Sequence, residues 1–296
     1  MHQPAGRVLC FGVLAIDQIV QVVEYPEQDG HTRILSNGEF IGGEAANTAL
    51  NLCGLKVPVT LRGNTLGEDR QGTLFRELIQ EFSVDSSGMD VQSGVRTATA
   101  LILSDQQGAR TICGFAPDLQ SRSILESDLE GITLLSVDPF LGNHAVEAAR
   151  LAQEMGIVVF SIEITGDHPL APFCDVVVNS SGFIRRHEIG SHIDVAIELL
   201  KAGVKTVVIT QGGEGCTAYL ENGRTLIQPA YSVPVIDTTG AGDAFRSGLI
   251  LGFLKGWTLT RGIQFASGCG ALACRILGGN GRIQGEGEVL QLIGRP

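Results

Sequence analysis

Apolar runs alternate with amphipathic stretches along most of the chain. Short runs rich in Val, Ile and Leu predict buried strands over residues 7–12, 57–62, 132–137, 157–162, 176–178 and 204–210. The stretches between them predict helices over residues 45–55, 69–82, 143–155 and 193–202. Strands that are apolar throughout are typical of a parallel sheet whose two faces are both covered. We therefore predict an α/β fold with a mostly parallel sheet flanked by helices.

Two regions depart from this rhythm, because polar positions are interleaved with apolar ones. They predict short strands over residues 19–23, 32–40, 98–104 and 110–115, and the turn Asp105-Gln-Gln-Gly108 suits a hairpin between the last two. These strands do not fit a central parallel sheet, so we expect a small separate sheet, formed by about 17–40 and 97–115, that projects as a lid. Such a lid would expose an apolar face through Ile19 and Ile34, and we expect a homodimer to bury it.

Composition narrows the functional classes. The 296 residues suffice for a single domain over 1–296 with one large core. The sequence has no apolar run of about 18 residues and no secretory signal pattern, so we expect a cytoplasmic chain without a membrane partner. The formal net charge of −11 argues against a nucleic-acid partner, which would need a basic surface. The seven cysteines form no CxxC pair, which favours buried thiols over disulfides or a metal site.

The strongest chemical signal is the string Asp-Thr-Thr-Gly-Ala-Gly-Asp-Ala-Phe at residues 237–245. It follows an apolar run at 232–236, which predicts a strand, and it opens a predicted helix over 240–255; a second helix is predicted over 260–277. Gly240 and Gly242 lack the Cβ atoms that would keep a phosphate away from the unpaired N–H groups of the helix start. Asp243 in the first turn could accept the proton of an attacking hydroxyl. The ordinary alternative is a capped helix after a tight turn.

Two further segments could contact ligands. Gly42-Gly43 enters a helix that carries Asn47, and Asp17 lies upstream, where its carboxylate could bind two sugar hydroxyls. Each of these residues also has a structural explanation as a helix start, a buried amide or a turn. The segment Thr210-Gln-Gly-Gly-Glu-Gly215 directly follows a buried strand, at the strand end where open α/β sheets bind ligands. A tight turn without a ligand would have the same sequence pattern.

Taken in this order, the segments resemble the ribokinase-like (PfkB) carbohydrate kinase family. The resemblance covers roughly residues 8–283 and includes Gly42-Gly43 with Asn47, the segment 63–69 and the string at 237–245. It implies a doubly wound α/β domain with a β-sheet lid. It also implies that Mg²⁺ and ATP are used to phosphorylate a primary alcohol of a small sugar or sugar derivative.

The resemblance implies roles for individual residues. Asp243 matches the catalytic base of the family, and the anion hole would be formed by Gly240, Ala241 and Gly242. The sugar-contacting positions would be Asp17, Gly42, Gly43 and Asn47. The nucleotide-binding turn would contain Thr210, Gly212 and Gly215. Positions that help hold a potassium ion in several members are matched by Asp237 and Thr239.

The sequence departs from the family pattern at two places. Members usually have an Asn-x-x-Glu stretch whose Glu organises magnesium, but here the stretch ends in glycine: Asn179 is kept as a nucleotide-site residue and Gly182 replaces the Glu. Glu163, at the end of the preceding strand, is a possible substitute, since Mg²⁺ needs few protein ligands. Ribokinases usually have Lys after the Gly-Gly pair, whereas this chain has Glu44, which argues against a ribokinase in the strict sense.

Several alternatives stay open. Arg110 could face an anionic group on the substrate, or it could be an ordinary surface arginine of the lid. A nucleoside kinase of the same fold would need an aromatic near the lid, and Phe40 and Phe115 are available. The missing Glu also allows a sensor of sugars or nucleotides that has lost turnover. A dehydrogenase is disfavoured, because no GxGxxG follows the first strand.

Overall fold

The predicted apolar runs form strands in the computed structural model, which describes residues 6–106, 108–116, 119–278 and 285–294. In chain order the strands of this part are β1 (Arg7–Gly12), β2 (Ala15–Val22), β3 (Ile34–Gly42), β4 (Val59–Gly63), β5 (Leu66–Gly67), β6 (Val91–Gln92), β7 (Ala98–Ser104), β8 (Arg110–Phe115), β9 (Ile132–Val137), β10 (Val158–Ile162), β11 (Val176–Ser180), β12 (Thr206–Thr210), β13 (Cys216–Leu220) and β14 (Thr225–Gln228). The helices are α1 (Glu44–Gly54), α2 (Arg70–Ile79), α3 (Glu126–Leu129), α4 (Asn143–Glu154), α5 (Ser181–His187), α6 (His192–Lys201), α7 (Ala241–Leu254), α8 (Leu259–Ala273) and α9 (Glu286–Ile293).

The central sheet has eight strands in the order β14-β13-β12-β11-β10-β9-β1-β4. Six neighbouring strands of this sheet pair in parallel, namely β12, β11, β10, β9, β1 and β4, and β13 and β14 add an antiparallel edge. Within this sheet, β1 is followed along the chain by β4, its neighbour on one side, and then by β9, its neighbour on the other side. This reversal makes the carboxyl ends of β1 and β9 the topological switch point, where open α/β sheets bind ligands.

Two hydrophobic cores cover the sheet, one on each face, because successive side chains of a strand point to opposite faces. On β1, Val8 and Cys10 pack into the core beneath α1, α7 and α8, whereas Leu9 and Phe11 pack into the core beneath α4 and α6. All four of these side chains are fully buried. The predicted α/β fold with a mostly parallel sheet between helices is therefore confirmed.

The lid is a separate four-stranded sheet in the order β3-β2-β7-β8. β2 and β7 pair in parallel at its centre, and β7 and β8 form the predicted hairpin, although Gln107 of its turn lies outside the described residues. The expected exposure of Ile19 is wrong: this side chain is fully buried, on the same strand face as Asp17. Ile34 is 55% exposed, on the opposite face.

The predicted strand at 232–236 is also wrong. Pro234 has no N–H to donate to a sheet, and the N–H of Ile236 donates instead to the carbonyl of Cys274, at 2.8 Å. The same contact explains why α8 ends at Ala273 rather than at residue 277, since residues 274–278 leave the helix to lie beside 236–237.

The antiparallel pair β13 and β14 and the helix α9 were not predicted. The described helices include none that is both long and apolar enough to cross a membrane.

Candidate active site

The start of α7 presents unpaired backbone N–H groups beside a carboxylate. Gly240 precedes the helix with a φ of 69°, a left-handed conformation that favours glycine. Among the described residues, no acceptor binds the N–H groups of Gly240, Gly242 and Asp243. A Cβ at position 242 would have no atom within 4 Å, so the space above the helix start is open. The positive end of the helix dipole and these N–H groups form a place where an anion can bind.

Asp243 lies in the first turn of α7 with both carboxylate oxygens in contact with donors. Asn47 Nδ2 donates to Oδ2 at 3.2 Å, and an arginine of the same helix, Arg246, donates to Oδ1 at 3.3 Å. Burial raises the pKa of Asp243 to about 7, while the positive charge of Arg246 opposes this effect. A carboxylate with a pKa near the operating pH is well suited to act as a general base.

Asp17 and Asn47 have polar atoms that the protein leaves without partners. The Asp17 side chain is nearly buried, and no donor among the described residues reaches its carboxylate. Burial first, and then the charge of Asp237, raises the pKa of Asp17 to about 7; Arg110 lowers it. The buried Oδ1 of Asn47 also accepts no hydrogen bond within the described chain. Buried acceptors of this kind are available to hydroxyl or N–H donors of a ligand.

The Gly-Gly pair is required by close contacts. A Cβ at Gly42 would lie 2.1 Å from Asp17 Oδ1, so any side chain there would displace the carboxylate. Gly43 has a φ of 91°, and a Cβ at this position would lie 2.2 Å from the carbonyl oxygen of Val13. The two glycines therefore bring α1 and its Asn47 against the end of β1.

The lid touches the loop that leads into α7. Arg110 Nη1 donates to Thr238 Oγ1 at 2.6 Å, and the Thr238 hydroxyl donates to the carbonyl oxygen of Gly108 at 3.1 Å. Arg110 is thus held at the edge of the site, where its charge lowers the pKa of both Asp17 and Asp243.

The predicted nucleotide turn lies at the carboxyl end of β12, on the same edge of the sheet as the switch point. Thr210 ends the strand. Gly212 has a φ of 58° with open space around it, and Gly215 has a φ of 97° and a would-be Cβ only 2.0 Å from the Gln228 carbonyl oxygen. The turn therefore depends on glycine at both positions.

Asn179 is used inside the protein rather than toward a ligand. Its fully buried amide accepts from the N–H of Ile164 at 3.2 Å and donates to the Ile164 carbonyl oxygen at 2.8 Å. Asn179 thereby fixes the backbone directly after Glu163, and its place at the nucleotide site stays a prediction.

Glu163 is held at the end of β10 in an unusual backbone conformation, with a φ of 45°. Its carboxylate accepts from Ser180 Oγ at 3.1 Å and pairs with Arg186 at 3.4 Å. Ser180 and Gly182 belong to the stretch in which the family Glu is missing. The carboxylate of Glu163 therefore lies next to that stretch, as its predicted substitute role requires.

Asp237 and Thr239 form the turn before the anion-binding helix start. The fully buried Asp237 carboxylate accepts from the N–H and hydroxyl of Thr239, at 3.0 and 2.8 Å, and from the N–H of Gly278 at 3.0 Å. Among the described residues no cation pairs with it. A group of three or more side chains able to hold a metal ion is also absent from the described residues.

Sequence reasoning missed Arg246 and Asp138, which are both fully buried next to Asp243. Two signals could have found them. Arg246 lies one turn after Asp243, and Asp138 comes directly after the strand β9, at the carboxyl edge of the sheet.

Comparisons with known proteins find kinases among the relatives of this chain. An ATP-dependent ribose-1-phosphate kinase of Halopiger xanaduensis is 29% identical over 90% of this chain and 91% of its own length. A nucleoside kinase of Methanothermobacter thermautotrophicus is 25% identical over 96% of this chain and 94% of its own. The fold is shared with a solved structure of Arabidopsis thaliana ribokinase complexed with ribose and ATP, with a TM-score of 0.82, 19% identity and coverage of 98% and 99% of the two chains.

The family model of pfkB family carbohydrate kinases matches residues 5–161 and 178–283. These two segments include the lid strands, the Gly-Gly pair and the whole string at 237–245. The predictions of a ribokinase-like fold and of a carbohydrate kinase are confirmed. The chain belongs to the pfkB family of carbohydrate kinases.

Proposed function

We propose that this chain transfers the γ-phosphoryl group of ATP to a primary hydroxyl of a small sugar or sugar derivative, with Asp243 as the general base. The observation that supports this most strongly is the juxtaposition at the start of α7. Unpaired N–H groups of Gly240, Gly242 and Asp243 lie beside a carboxylate whose pKa is raised to about 7. One side of this arrangement suits a phosphate and the other suits a hydroxyl that must lose its proton.

The sugar would bind between the lid and the end of β1. Asp17 and the Oδ1 of Asn47 are nearly buried acceptors without donors in the described protein, so they would accept hydrogen bonds from sugar hydroxyls. Gly42 and Gly43 allow this close approach. Asn47 also donates to Asp243, which links the binding of the sugar to the position of the base.

The nucleotide would lie along the carboxyl edge of the sheet. The turn Thr210–Gly215 would contact it, and its γ-phosphate would reach the free N–H groups of Gly240 and Gly242 in the anion hole, whereas the N–H of Ala241 already donates to the carbonyl oxygen of Thr238 at 3.3 Å. Asp243 would orient the acceptor hydroxyl and accept its proton as the new O–P bond forms. Arg110 would close the site from the lid through its contact with Thr238.

The residues present fit the ions that the reaction needs. Mg²⁺ would offset the charge of the phosphate oxygens, and the carboxylate of Glu163 would hold waters of its hydration shell. The buried Asp237 carboxylate lacks a charged partner among the described residues, which supports a K⁺ ion bound next to it with Thr239 in the same turn. Both ions are proposals for this chain.

A homodimer through the lids is also proposed. The lid face opposite Asp17 exposes Ile34, Leu101 and Phe115, at 55%, 39% and 39%. Burial of these side chains against a second copy would remove apolar surface from water. Light scattering at micromolar concentration should give twice the mass of one chain, and a monomeric mass would contradict this proposal.

We further propose that the chain forms one domain with a lid at about 17–40 and 97–115, and that it works in the cytoplasm. The two cores share one continuous sheet, which supports a single domain. All seven cysteines are free, as is usual in a reducing compartment.

A nucleoside kinase is the second candidate. Phe40 pairs with Asp17 across β2 and β3, so its ring lies on the same lid face as the proposed sugar-binding carboxylate. The named nucleoside kinase relative supports the same view. An aromatic ring at this place could stack on a base.

ATP consumption in the presence of sugars, sugar acids, sugar phosphates and nucleosides tests the proposal. Wild-type protein should consume ATP with at least one sugar, and Asp243→Asn serves as the matched blank. Turnover with nucleosides alone would favour the second candidate. No stimulation by any compound, together with ligand binding in a thermal-shift assay, would contradict catalysis and favour a sensor.

A further inference from the structure

Arg246 is the largest side chain in the structure that is completely buried, and it lies directly behind the proposed base. A charged side chain at zero exposure is rare unless each of its donors has a partner. Arg246 Nη1 donates to Asp138 Oδ1 at 2.8 Å, and Nε donates to Thr48 Oγ1 at 3.0 Å. Its Nη2 lies within hydrogen-bond distance of three acceptors: Thr48 Oγ1 at 2.6 Å, the Glu44 carbonyl oxygen at 2.8 Å and Asp243 Oδ1 at 3.3 Å.

Asp138 neutralises this guanidinium from the side opposite Asp243. It is fully buried after β9, and its Oδ2 accepts from the N–H of Val13 at 3.2 Å. A Cβ at Gly12 would lie 2.0 Å from this oxygen, so the glycine that ends β1 makes room for the carboxylate. The pair therefore joins the ends of β1 and β9 to α1 and α7 at the switch point.

We infer that Arg246 is a positioning residue: its guanidinium, held by Asp138, orients the Asp243 carboxylate and keeps it ionised for proton transfer. This inference rests on the proposed function. It adds a residue outside the string at 237–245 to those that support catalysis. Arg246 contacts the base and not the substrate, so its role is to position the base.

The other charged groups around Asp243 do not replace Arg246. The pKa of Asp243 is lowered most by Arg246, raised by Asp138 and lowered least by Arg110 from the lid. Glu44 of α1 is also close, but burial raises its own pKa to about 8, so it adds little charge below that pH. Cys10 of β1 is buried with a pKa raised to about 12 and stays neutral.

Two variants separate a positioning role from a merely structural one, because they should move the ionisation of Asp243 in opposite directions. Arg246→Gln removes the cation and leaves Asp138, so the acid limb of the kcat profile should move to higher pH by about 1–3 units. Asp138→Asn removes the negative charge that offsets the Arg246 guanidinium, so the acid limb of the kcat profile should move to lower pH. The acid limb of the double variant should lie between those of the two single variants.

Two controls define the effect. Arg246→Lys keeps the charge, so its acid limb should stay closer to that of wild type than the limb of Arg246→Gln. Ser247→Ala removes a neighbouring buried hydroxyl of α7 without changing any charge; this hydroxyl lies 2.7 Å from the backbone carbonyl oxygen of Asp243 and 3.1 Å from that of Thr48, but it does not contact the Asp243 carboxylate. Its acid limb should not move.

A carboxyl ¹³C NMR titration of the Asp residues measures the same shifts without turnover, with the Asp243 signal assigned by its loss in Asp243→Asn. If wild-type protein phosphorylates nothing, the proposed function fails while this titration still decides the inference. Shifts of the Asp243 pKa in the same direction for both single variants, or in neither, would overturn it. If Arg246→Gln does not fold, the comparison of Asp138→Asn with the double variant decides, because the double variant must have the higher pKa of Asp243.

Discussion

Two buried carboxylates border the candidate active site, Asp17 on the lid strand β2 and Asp243 in the first turn of α7, and they differ in their hydrogen-bond partners. Burial raises the pKa of Asp17 and of Asp243 to about 7. Asp243 is in contact with Asn47 and with the buried cation Arg246. Asp17 has no donor at all among the described residues.

This difference separates two tasks that the same functional group can perform. A carboxylate held by fixed donors keeps its orientation and stays ionised until it accepts the proton. A carboxylate without donors gains its hydrogen bonds only when a ligand arrives, so it can contribute to the binding of the substrate. Asp243 fits the first task and Asp17 fits the second.

The largest effect should come from Asp243→Asn. The amide cannot accept the proton of the acceptor hydroxyl, so kcat should fall by about 10²–10⁴. The KM for ATP should change little, because the N–H groups of the anion hole remain. Steady-state kinetics with the best acceptor of the panel check this, and a kcat within a factor of three of wild type would remove Asp243 from the proposed role.

Asp17→Asn should act on binding instead. Loss of charge-assisted hydrogen bonds, each about 1.5–3 kcal/mol, should raise the KM for the sugar about 10–100-fold with a smaller change in kcat. If this variant lowered kcat as strongly as Asp243→Asn does, the two carboxylates would not have separate tasks.

The same variant should stabilise the free protein. The folded pKa of Asp17 is about 7, above its usual value, so the ionised carboxylate destabilises the fold as pH rises from about 4 to 7. At pH 8, Asp17→Asn should therefore raise the free energy of unfolding, by up to about 4 kcal/mol. Thermal melts at pH 5 and pH 8 check this, because the gain should be larger at the higher pH. A loss of stability at pH 8 would contradict the account.

Gly42→Ala should displace Asp17 without removing its charge. The added Cβ would lie 2.1 Å from Asp17 Oδ1, and an overpacked contact of this kind costs about 1–3 kcal/mol. The KM for the sugar should rise about tenfold. Gly114→Ala on β8 is the matched control, since its Cβ would have no atom within 4 Å. Equal effects of the two substitutions would show that the Gly42 contact is not specific to the site.

Thr238→Val should have the smallest effect. It removes the hydrogen bonds that Thr238 makes to Arg110 and to Gly108 of the lid. The bond from the Arg110 guanidinium is exposed to solvent, which weakens it, so a contribution of about 0.5–1.5 kcal/mol is expected and the KM for the sugar should rise about 2–10-fold while kcat stays near that of wild type. A fall in kcat without a change in the KM for the sugar would show that this contact supports Asp243 rather than the lid.

The sequence predicted the parts of this site that lie within one segment. The glycines at 240 and 242 and Asp243 belong to one string, and the pattern of the apolar runs predicted the six parallel strands of the central sheet, though not its antiparallel edge. Contacts between distant segments could not be predicted in this way. Asp138 and Arg246 are 108 residues apart, and nothing in either local pattern shows that they pair.

The same limit explains the errors. The apolar run at 232–236 looks like a strand, but its partner is the end of α8, about 40 residues later. Ile19 was expected at the surface, because the sequence does not say which face of the lid strand β2 is covered.

A crystal structure with the phosphoryl acceptor and a non-hydrolysable ATP analogue tests the central claim most directly. The account predicts the acceptor hydroxyl oxygen about 2.6–3.2 Å from an Asp243 carboxylate oxygen, with the terminal phosphate on the N–H groups of residues 240–243 and Asp17 bound to other hydroxyls of the sugar. A hydroxyl bound by Asp17 and out of reach of Asp243, or a terminal phosphate away from the start of α7, would contradict it.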